Sequence, residues 1–312
     1  MIGIVFEHPT WLTPLFLALE ERHIPYKKLD LSSFAYDLRG GPVLPLYVNR
    51  LSASSYQRHN QRAIALAFSY FKFLAVQGAR ILNVRNAHLE MNKADQLLAF
   101  RQHGLSTPRT WVFNDRAQLH HLPDGFPFPL LIKPAQGGAG SLMQRFDSRP
   151  ALLAGLSQIA LPPDELMLAQ EYIQPVRGYV NRVEVLAGQI LYALHVYHPV
   201  DSFNLCPADA CAVEGAESSQ ATFLLNTRLE PAISEAIVRF FKALELDFGS
   251  IEFLEGADGT AYFYDLNLNS NYRTHVPGVE DFDPWGTLAA YLGMQLTAVR
   301  RQEYPSQARS WA

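Results

Sequence analysis

Residues 250–271 read SIEFLEGADGTAYFYDLNLNSN, two hydrophobic runs on either side of Ala257-Asp258-Gly259. Apolar runs joined by a short Asp-Gly turn predict a β-hairpin. Glu252 falls on its first strand and Asp265 and Asn267 on its second. Side chains two apart on a strand share a face, so Asp265 and Asn267 point the same way. An ordinary register across the turn brings Glu252 to the same patch. Such an all-oxygen cluster suits Mg²⁺, which takes carboxylate, carbonyl and water ligands and commonly bridges to nucleotide phosphates. A strand end whose polar residues merely cap a loop has the same spacing, and spacing alone leaves both readings open.

Around this hairpin lie 312 residues and 35.1 kDa, 48% of them hydrophobic, enough for two or three lobes with cores of their own. Lys and Arg number 26 against 30 Asp and Glu, and the net charge of -4 gives no general attraction to nucleic acid or anionic lipid. Any phosphate site is therefore local. The opening MIGIVFEHPTW resembles a β-strand rather than a signal peptide. AIALAFSYFKFLAVQG, the most apolar helical stretch, is interrupted by Lys72 and falls short of the roughly 20 residues that span a bilayer. Cys206 and Cys211 lack partners at zinc spacing and read as reduced thiols. A soluble, cytoplasmic protein that binds neither membrane nor nucleic acid is expected.

Three segments are expected along the chain: 1–88, 89–170 and 171–312. In the first, IGIVF, a helix from Thr13-Pro14 with Leu15, Phe16 and Leu19 on its apolar face, and the strand YKKLDL make a βαβ-type opening. A long helix over Tyr56–Gln77 stopped by Gly78, then the strand RILNV, close it. In the second, Asn92 caps a helix with Leu97 and Leu98 as its buried stripe and Gly104 as its stop. The strands TWVF and PLLIKP, a helix over Pro150–Ala160 and the strand ELMLAQEYI follow. In the third, NRVEVLAG and QILYALHVY turn at Ala187-Gly188, and Pro231 opens a helix faced by Ile233, Ile237, Phe240, Phe241 and Leu244. The hairpin follows, and the last residues, RRQEYPSQARSWA, read as loose.

Two further stretches carry chemistry. In LLIKPAQGGAGSLMQRF a buried strand delivers Lys133, and Gly137, Gly138 and Gly140 let the backbone approach a phosphate and aim N–H groups at it. Taken alone, those glycines read more simply as a plain hairpin turn, and neither a Walker A loop nor a GxGxxG is present. In MLAQEYIQP, the segment Gln170–Ile173 links two lobes, where a backbone can pair with the edge of adenine while Tyr172 and Ile173 pack on the base.

Taken in order, Lys93 after a cap, Lys133 before a glycine loop, the QEYI hinge, Arg182 on a later strand, then Glu252, Asp265 and Asn267 resemble the ATP-grasp superfamily. The likeness runs over about 89–292 and is nearest to RimK-type and glutathione-synthetase-like carboxylate–amine ligases. It implies an α/β fold built of α+β lobes: an N-terminal βαβ pre-ATP-grasp substrate domain, a small lobe with the glycine loop, and a large lobe with the metal site. It implies that Lys93 and Lys133 hold phosphates, that Gln136, Gly137, Gly138, Gly140 and Ser141 cover the triphosphate, and that Gln170, Glu171, Tyr172 and Ile173 read adenine. Arg182 faces the γ-phosphate, and Glu252, Asp265 and Asn267 bind one or two Mg²⁺, with Mn²⁺ as the alternative ion. Relatives more often carry Asp at position 252 and Glu at 265, an exchange that keeps both charges, and an acid where Val180 stands here.

The implied activity joins a carboxylate to an amine through an acyl phosphate, releasing ADP and phosphate; alternatives are a phosphotransferase and a non-catalytic ATP-binding module. Substrates are expected to be a small carboxylate and an amine, such as an amino acid or peptide. Arg273 stands as a bidentate carboxylate clamp. In YVNRLSASSYQR, Asn49, Arg50, Ser52, Ser54 and Arg58 read either as a zwitterion site or as a solvated loop. His195 and His198, three apart on a strand, face opposite sides and make no metal pair. Relatives of this kind commonly form dimers or tetramers, so a homo-oligomer is compatible.

Overall fold

Every residue of Ile2–Phe6 and of Leu46–Arg50 is buried, the pattern of strands covered on both faces. In the computed structural model these become β1 (Ile2–Phe6), α1 (Thr13–Glu21), β2 (Tyr26–Asp30), β3 (Leu46–Arg50), α2 (Gln61–Val76) and β4 (Arg80–Leu82). The structure describes residues 1–41, 43–137, 140, 142–162, 164–197, 222–273, 276 and 282–303. The four strands pair in parallel in the order β2-β1-β3-β4, so the sheet changes its direction of growth at β1. In such sheets the crevice at the carboxyl ends of the strands flanking that point is where ligands bind.

The long helix expected from Tyr56 is shorter than its periodicity suggests. A 3-10 turn covers Ala53–Arg58, His59 takes φ +58°, and α2 starts only at Gln61. A left-handed residue cannot continue a helix, which is why apolar spacing alone misplaced its start. Gly78, at φ +79°, ends the helix where expected.

Next come α3 (His88–Met91), α4 (Lys93–Gln102), β5 (Thr110–Phe113), β6 (Leu130–Pro134), β7 (Gln144–Phe146), α5 (Arg149–Ala154) and β8 (Met167–Glu171). These strands form an antiparallel sheet in the order β5-β8-β6-β7. The Asn92 side chain accepts from the N–H groups of Ala94 and Asp95, the expected cap. Leu97 is buried, but Leu98 is 55% exposed; Ala99 and Phe100 complete the stripe instead. The helix expected to run to Ala160 stops at Ala154, and a 3-10 turn follows Gly155. Gly155 lies so close to the Phe146 ring that a Cβ there would sit 2.8 Å from it.

The remainder is β9 (Tyr179–Leu186), β10 (Gln189–Tyr197), β11 (Thr222–Leu225), α6 (Pro231–Ala243), β12 (Phe248–Glu255), β13 (Ala261–Asn267) and α7 (Pro284–Glu303). An antiparallel sheet in the order β11-β10-β9-β12-β13 results. Ala187 and Gly188, both at positive φ (53° and 72°), make the expected turn between β9 and β10. One face of this sheet packs Val183, Val185, Ile251, Phe253, Phe263 and Leu266 against Phe100 of α4 and Ile237, Phe240 and Phe241 of α6. Ile233 and Leu244 of α6 are partly buried against the same cluster. On the other face, Val180, Leu186, Leu194, Phe248 and Leu254 share a core with β1, α1 and α7. α7 is longer than the sequence reading allowed. Its last residues, 300–303, belong to the tail expected to be loose, while 304–312 lie outside the described residues. No described helix is long and apolar enough to cross a membrane.

Candidate functional site

The hairpin register decides which side chains meet. Glu252 pairs directly with Asp265 and Ser250 with Asn267, and β9 places Arg182 opposite Glu252 and Glu184 opposite Ser250. Six polar residues therefore line one face of three adjacent strands. A bulge, with Glu252 opposite Asp265 but Phe253 opposite Phe263, takes up Tyr264 as an extra residue. It lets Phe263 and Leu266 both reach the apolar face while Asp265 stays on the polar one.

Arg182 is the hub of this face. Its Nε donates to Glu184 Oε1 at 2.8 Å, one terminal nitrogen to Glu252 Oε1 at 2.9 Å and the other to Ser270 Oγ at 2.7 Å. Ser270 Oγ donates to Glu184 Oε1 at 2.7 Å, and the Tyr264 hydroxyl donates to Glu252 Oε2 at 3.1 Å. Burial opposes the charge of Arg182, but Glu184 and then Glu252 more than offset it, and its pKa is raised. Glu184 and Ser270 lie outside the residue set read from the sequence. Glu184 was detectable, since it stands two residues beyond Arg182 on one strand; Ser270, in a loop, gave no local sign.

The lysines arrive from the neighbouring sheet. Lys93, the first residue of α4, donates its backbone N–H to Ala135 O at 2.8 Å, and its ammonium forms an ion pair with Asp265. Asp265 also accepts from Asn267 Nδ2 at 3.0 Å. Lys133 is 8% exposed on β6, and burial, reinforced by Lys93, pushes its pKa down to about 7. Glu252 is pushed up to about 7 by burial and by Asp265, against the pull of Arg182. Both shifts have one leading cause: burial penalises the charged form of each group, lowering the lysine and raising the carboxylate. Among the described residues no three His, Cys, Asp or Glu side chains cluster as a metal site. The donor set is thus two carboxylates and an amide, all oxygen, which fits Mg²⁺ better than a softer ion. A polyanion carrying that ion would favour the charged form of both groups.

Other residues singled out in the sequence fall around this centre. Gln136 donates weakly to Met91 Sδ at 3.9 Å, Gly137 continues the loop and Gly140 turns it at φ +65°; Gly138 and Ser141 lie outside the described residues. Gln170 is buried and donates to Thr110 Oγ1 at 2.9 Å; Glu171 N–H donates to Arg109 O at 2.8 Å. Tyr172 N–H donates to Pro129 O at 2.9 Å, and Arg145 lies 4.7 Å above its ring. Ile173 is partly buried against the core shared with β1. The Arg273 backbone N–H donates to the Tyr192 hydroxyl at 3.0 Å, and its guanidinium carbon lies 4.5 Å from the Phe223 ring centre. Val180 is buried in the apolar core, and His195 Nδ1 lies 3.1 Å from Asn181 Oδ1. His198, Cys206 and Cys211 lie outside the described residues.

At the carboxyl ends of β1 and β3, Arg58 forms an ion pair with Glu7 and donates to Ser54 Oγ at 3.1 Å, and Asn60 Nδ2 donates to Glu7 at 3.2 Å. Asn49 Nδ2 bonds to Asn83 O at 2.9 Å, and Ser52 and Ser54 share a 2.9 Å hydrogen bond. Asn49, Arg50, Ser52 and Ser54 are all buried, so the solvated-loop reading fails for them. Glu90, also unanticipated, links this region to the hairpin by accepting from Ala53 N–H and from Leu268 N–H.

No family model matches the chain. Among curated proteins it is similar to the D-alanine–D-alanine ligase of Bordetella petrii, 26% identical over 204 residues, 60% of this chain and 57% of that protein. The enzyme of the same name from Chromohalobacter salexigens is 24% identical over 217 residues, 68% of this chain and 63% of that protein. The aligned region thus spans about three-fifths of the length of these relatives. Among solved structures, the ATP-grasp ligase PsnB complexed with a minimal precursor superposes with a TM-score of 0.67 at 17% identity, covering 94% of this chain and 99% of that one. D-cycloserine synthetase DcsG gives 0.67 at 16% identity, covering 95% and 100%. The D-alanine–D-alanine ligase of Bacillus anthracis gives 0.61 at 15% identity, covering 97% and 99%. Three sheets in this order, superposing on these ligases over nearly their whole length, give the chain the ATP-grasp fold.

Proposed function

We propose that the chain is an ATP-dependent carboxylate–amine ligase. The observation that carries this reading is the convergence of Lys93, Lys133, Arg182, Glu252, Asp265 and Asn267, from two sheets and a helix start, on one buried to half-buried patch. In the proposed reaction a substrate carboxylate attacks the γ-phosphate of ATP, ADP leaves, and an amine displaces phosphate from the acyl phosphate to form an amide. No protein nucleophile is required, so the protein acts by alignment and charge neutralisation in a site closed to water.

Within that reading Lys133 and Lys93 hold phosphate oxygens, and Gln136, Gly137, Gly138, Gly140 and Ser141 cover them. Gln170, Glu171, Tyr172 and Ile173 frame the adenine, with the Tyr172 N–H already committed to Pro129. Glu252, Asp265 and Asn267 hold one or two Mg²⁺, or Mn²⁺ in its place, and the ion supplies neutralisation of phosphate charge. Lys93 must yield part of its hold on Asp265 for that carboxylate to serve. Arg182 stabilises charge on the transferred phosphoryl group, and Arg273 clamps a substrate carboxylate. Residues 1–88 form the substrate segment, 89–170 the small lobe and 171–312 the large lobe.

Support for nucleotide and metal comes from PsnB, whose solved complexes include one with minimal precursor, Mg and ADP and one with precursor peptide and AMPPNP. The names of the relatives favour an amino acid or a peptide as substrate. Catalysis in the cytoplasm by a homo-oligomer is consistent with the expected solubility. The test is a panel of amino acids and dipeptides assayed for Mg-ATP-dependent ADP release, with mass spectrometry of the product. Amine-dependent ADP release with an amide product is expected. AMP and pyrophosphate, or a stable phosphorylated product, would refute the assignment.

A further inference from the structure

Arg50, the last residue of β3, is 2% exposed, and among the described residues its guanidinium makes a single hydrogen bond, from one terminal nitrogen to Ser270 O at 2.8 Å. Among the described residues its buried Nε and other terminal nitrogen find no hydrogen-bond partner, and no carboxylate lies within ion-pair distance of it. The rings of Phe248 and Trp285 lie 5.5 and 5.9 Å from its central carbon. A buried cation with one neutral acceptor and two aromatic faces recovers little of its lost hydration, and hydrophobic replacements of such groups are often neutral or stabilising. The fold gains little from this charge.

What the charge does reach is Ser270. That residue accepts from Arg50 through its carbonyl, while its hydroxyl accepts from Arg182 and donates to Glu184. Arg182 in turn holds Glu252 Oε1 at 2.9 Å. An unbroken line of hydrogen bonds therefore runs from the first sheet, through Arg50, Ser270 and Arg182, to a candidate metal carboxylate. The same loop is tied elsewhere by Glu90 to Leu268 N–H and by Asn83 Nδ2 to Leu268 O at 3.1 Å, but neither tie reaches the Ser270 hydroxyl.

We infer that Arg50 is a positioning residue for the nucleotide–metal site: by fixing Ser270 it orients Arg182 and, through Arg182, the Glu252 carboxylate. This rests on the ligase reading above. It gives Arg50, which packs beside Phe248 and Trp285, a role through Ser270 in place of a direct substrate contact.

The test uses the full chain and three variants, Arg50→Met, Arg50→Lys and Ser270→Ala, with two readouts: thermal melting without nucleotide, and Mn²⁺ binding in the presence of ADP followed by electron paramagnetic resonance. Arg50→Met is expected to melt at or above the wild-type temperature yet bind Mn²⁺ about 10- to 100-fold more weakly, the usual cost of losing an orienting partner. Arg50→Lys, which keeps a donor toward Ser270 O, recovers part of that affinity, and Ser270→Ala reproduces the weakening with Arg50 intact. Arg50→Met that melts lower while binding Mn²⁺ as the wild type does overturns the inference. If Arg50→Met does not fold, Ser270→Ala decides, and unchanged Mn²⁺ affinity there overturns it equally. A wild-type chain that binds no Mn²⁺ with ADP refutes the nucleotide reading itself, and the inference falls with it.

Discussion

Replacing Glu90 with Gln changes the pH dependence of stability by an amount the structure fixes in sign and scale. Burial pushes the Glu90 carboxyl from 4.5 up to about 7, against the opposing hydrogen bonds from Leu268 and Ala53 N–H. Between those two values the folded chain holds a proton that the unfolded chain has released. Stability from this group is full below pH 4.5 and is lost as pH rises through about 7. At about 1.4 kcal/mol per unit, the loss amounts to roughly 3 kcal/mol. Gln carries no charge and escapes it. It has a single acceptor oxygen, however, so the Ala53 or Leu268 N–H loses its partner at a pH-independent cost of about 1–3 kcal/mol. Urea unfolding of both proteins without nucleotide, in steps from pH 5 to pH 8, separates the two effects. The variant is expected to be the less stable at pH 5 and to gain about 2–3 kcal/mol relative to wild type by pH 8. A difference between the two proteins that stays constant across that range would refute the argument.

Lys133→Met removes a buried ammonium and the proposed phosphate contact together. ADP release should fall by about 100-fold or more, with a melting temperature unchanged or raised; retained turnover excludes Lys133 from the site. Asn83→Ala strips four hydrogen bonds, given to Phe248 O and Leu268 O and taken from Asp247 N–H and Phe248 N–H. Urea titration should show a loss above about 3 kcal/mol, since the abandoned Phe248 and Leu268 backbone groups are buried. Gly249→Ala would place a Cβ 2.8 Å from Asn267 O at a φ of +157°. Denaturation should show a cost of about 1–3 kcal/mol, and Mn²⁺ affinity should weaken with it, because the strain falls on the strand end that carries Asn267.

Much of the geometry around the candidate site was legible because it is local. The two-residue period of a strand puts Asp265 beside Asn267, Asn92 caps the helix that begins with Lys93, and a buried apolar run carries Lys133. Each depends on residues close together in the chain. Errors arose where backbone conformation or distant packing intervened: His59 at φ +58° delays α2, and Leu98 turns outward while Phe100 fills the core against Phe240.

By itself the sequence determined most of the strands, caps and turns, since these follow from short-range sterics and side-chain periodicity, while the order of its lysines, arginine and oxygen donors carried a resemblance to ATP-grasp proteins. Only the tertiary structure decided that a bulge at Tyr264 aligns Asp265 with Glu252, that Ser270 and Glu184 complete the hold on Arg182, and that Arg50 is buried against their loop. Those contacts join residues as far apart as 220 positions. They exist only once three sheets have packed and removed the charges from water, and no local spacing encodes that.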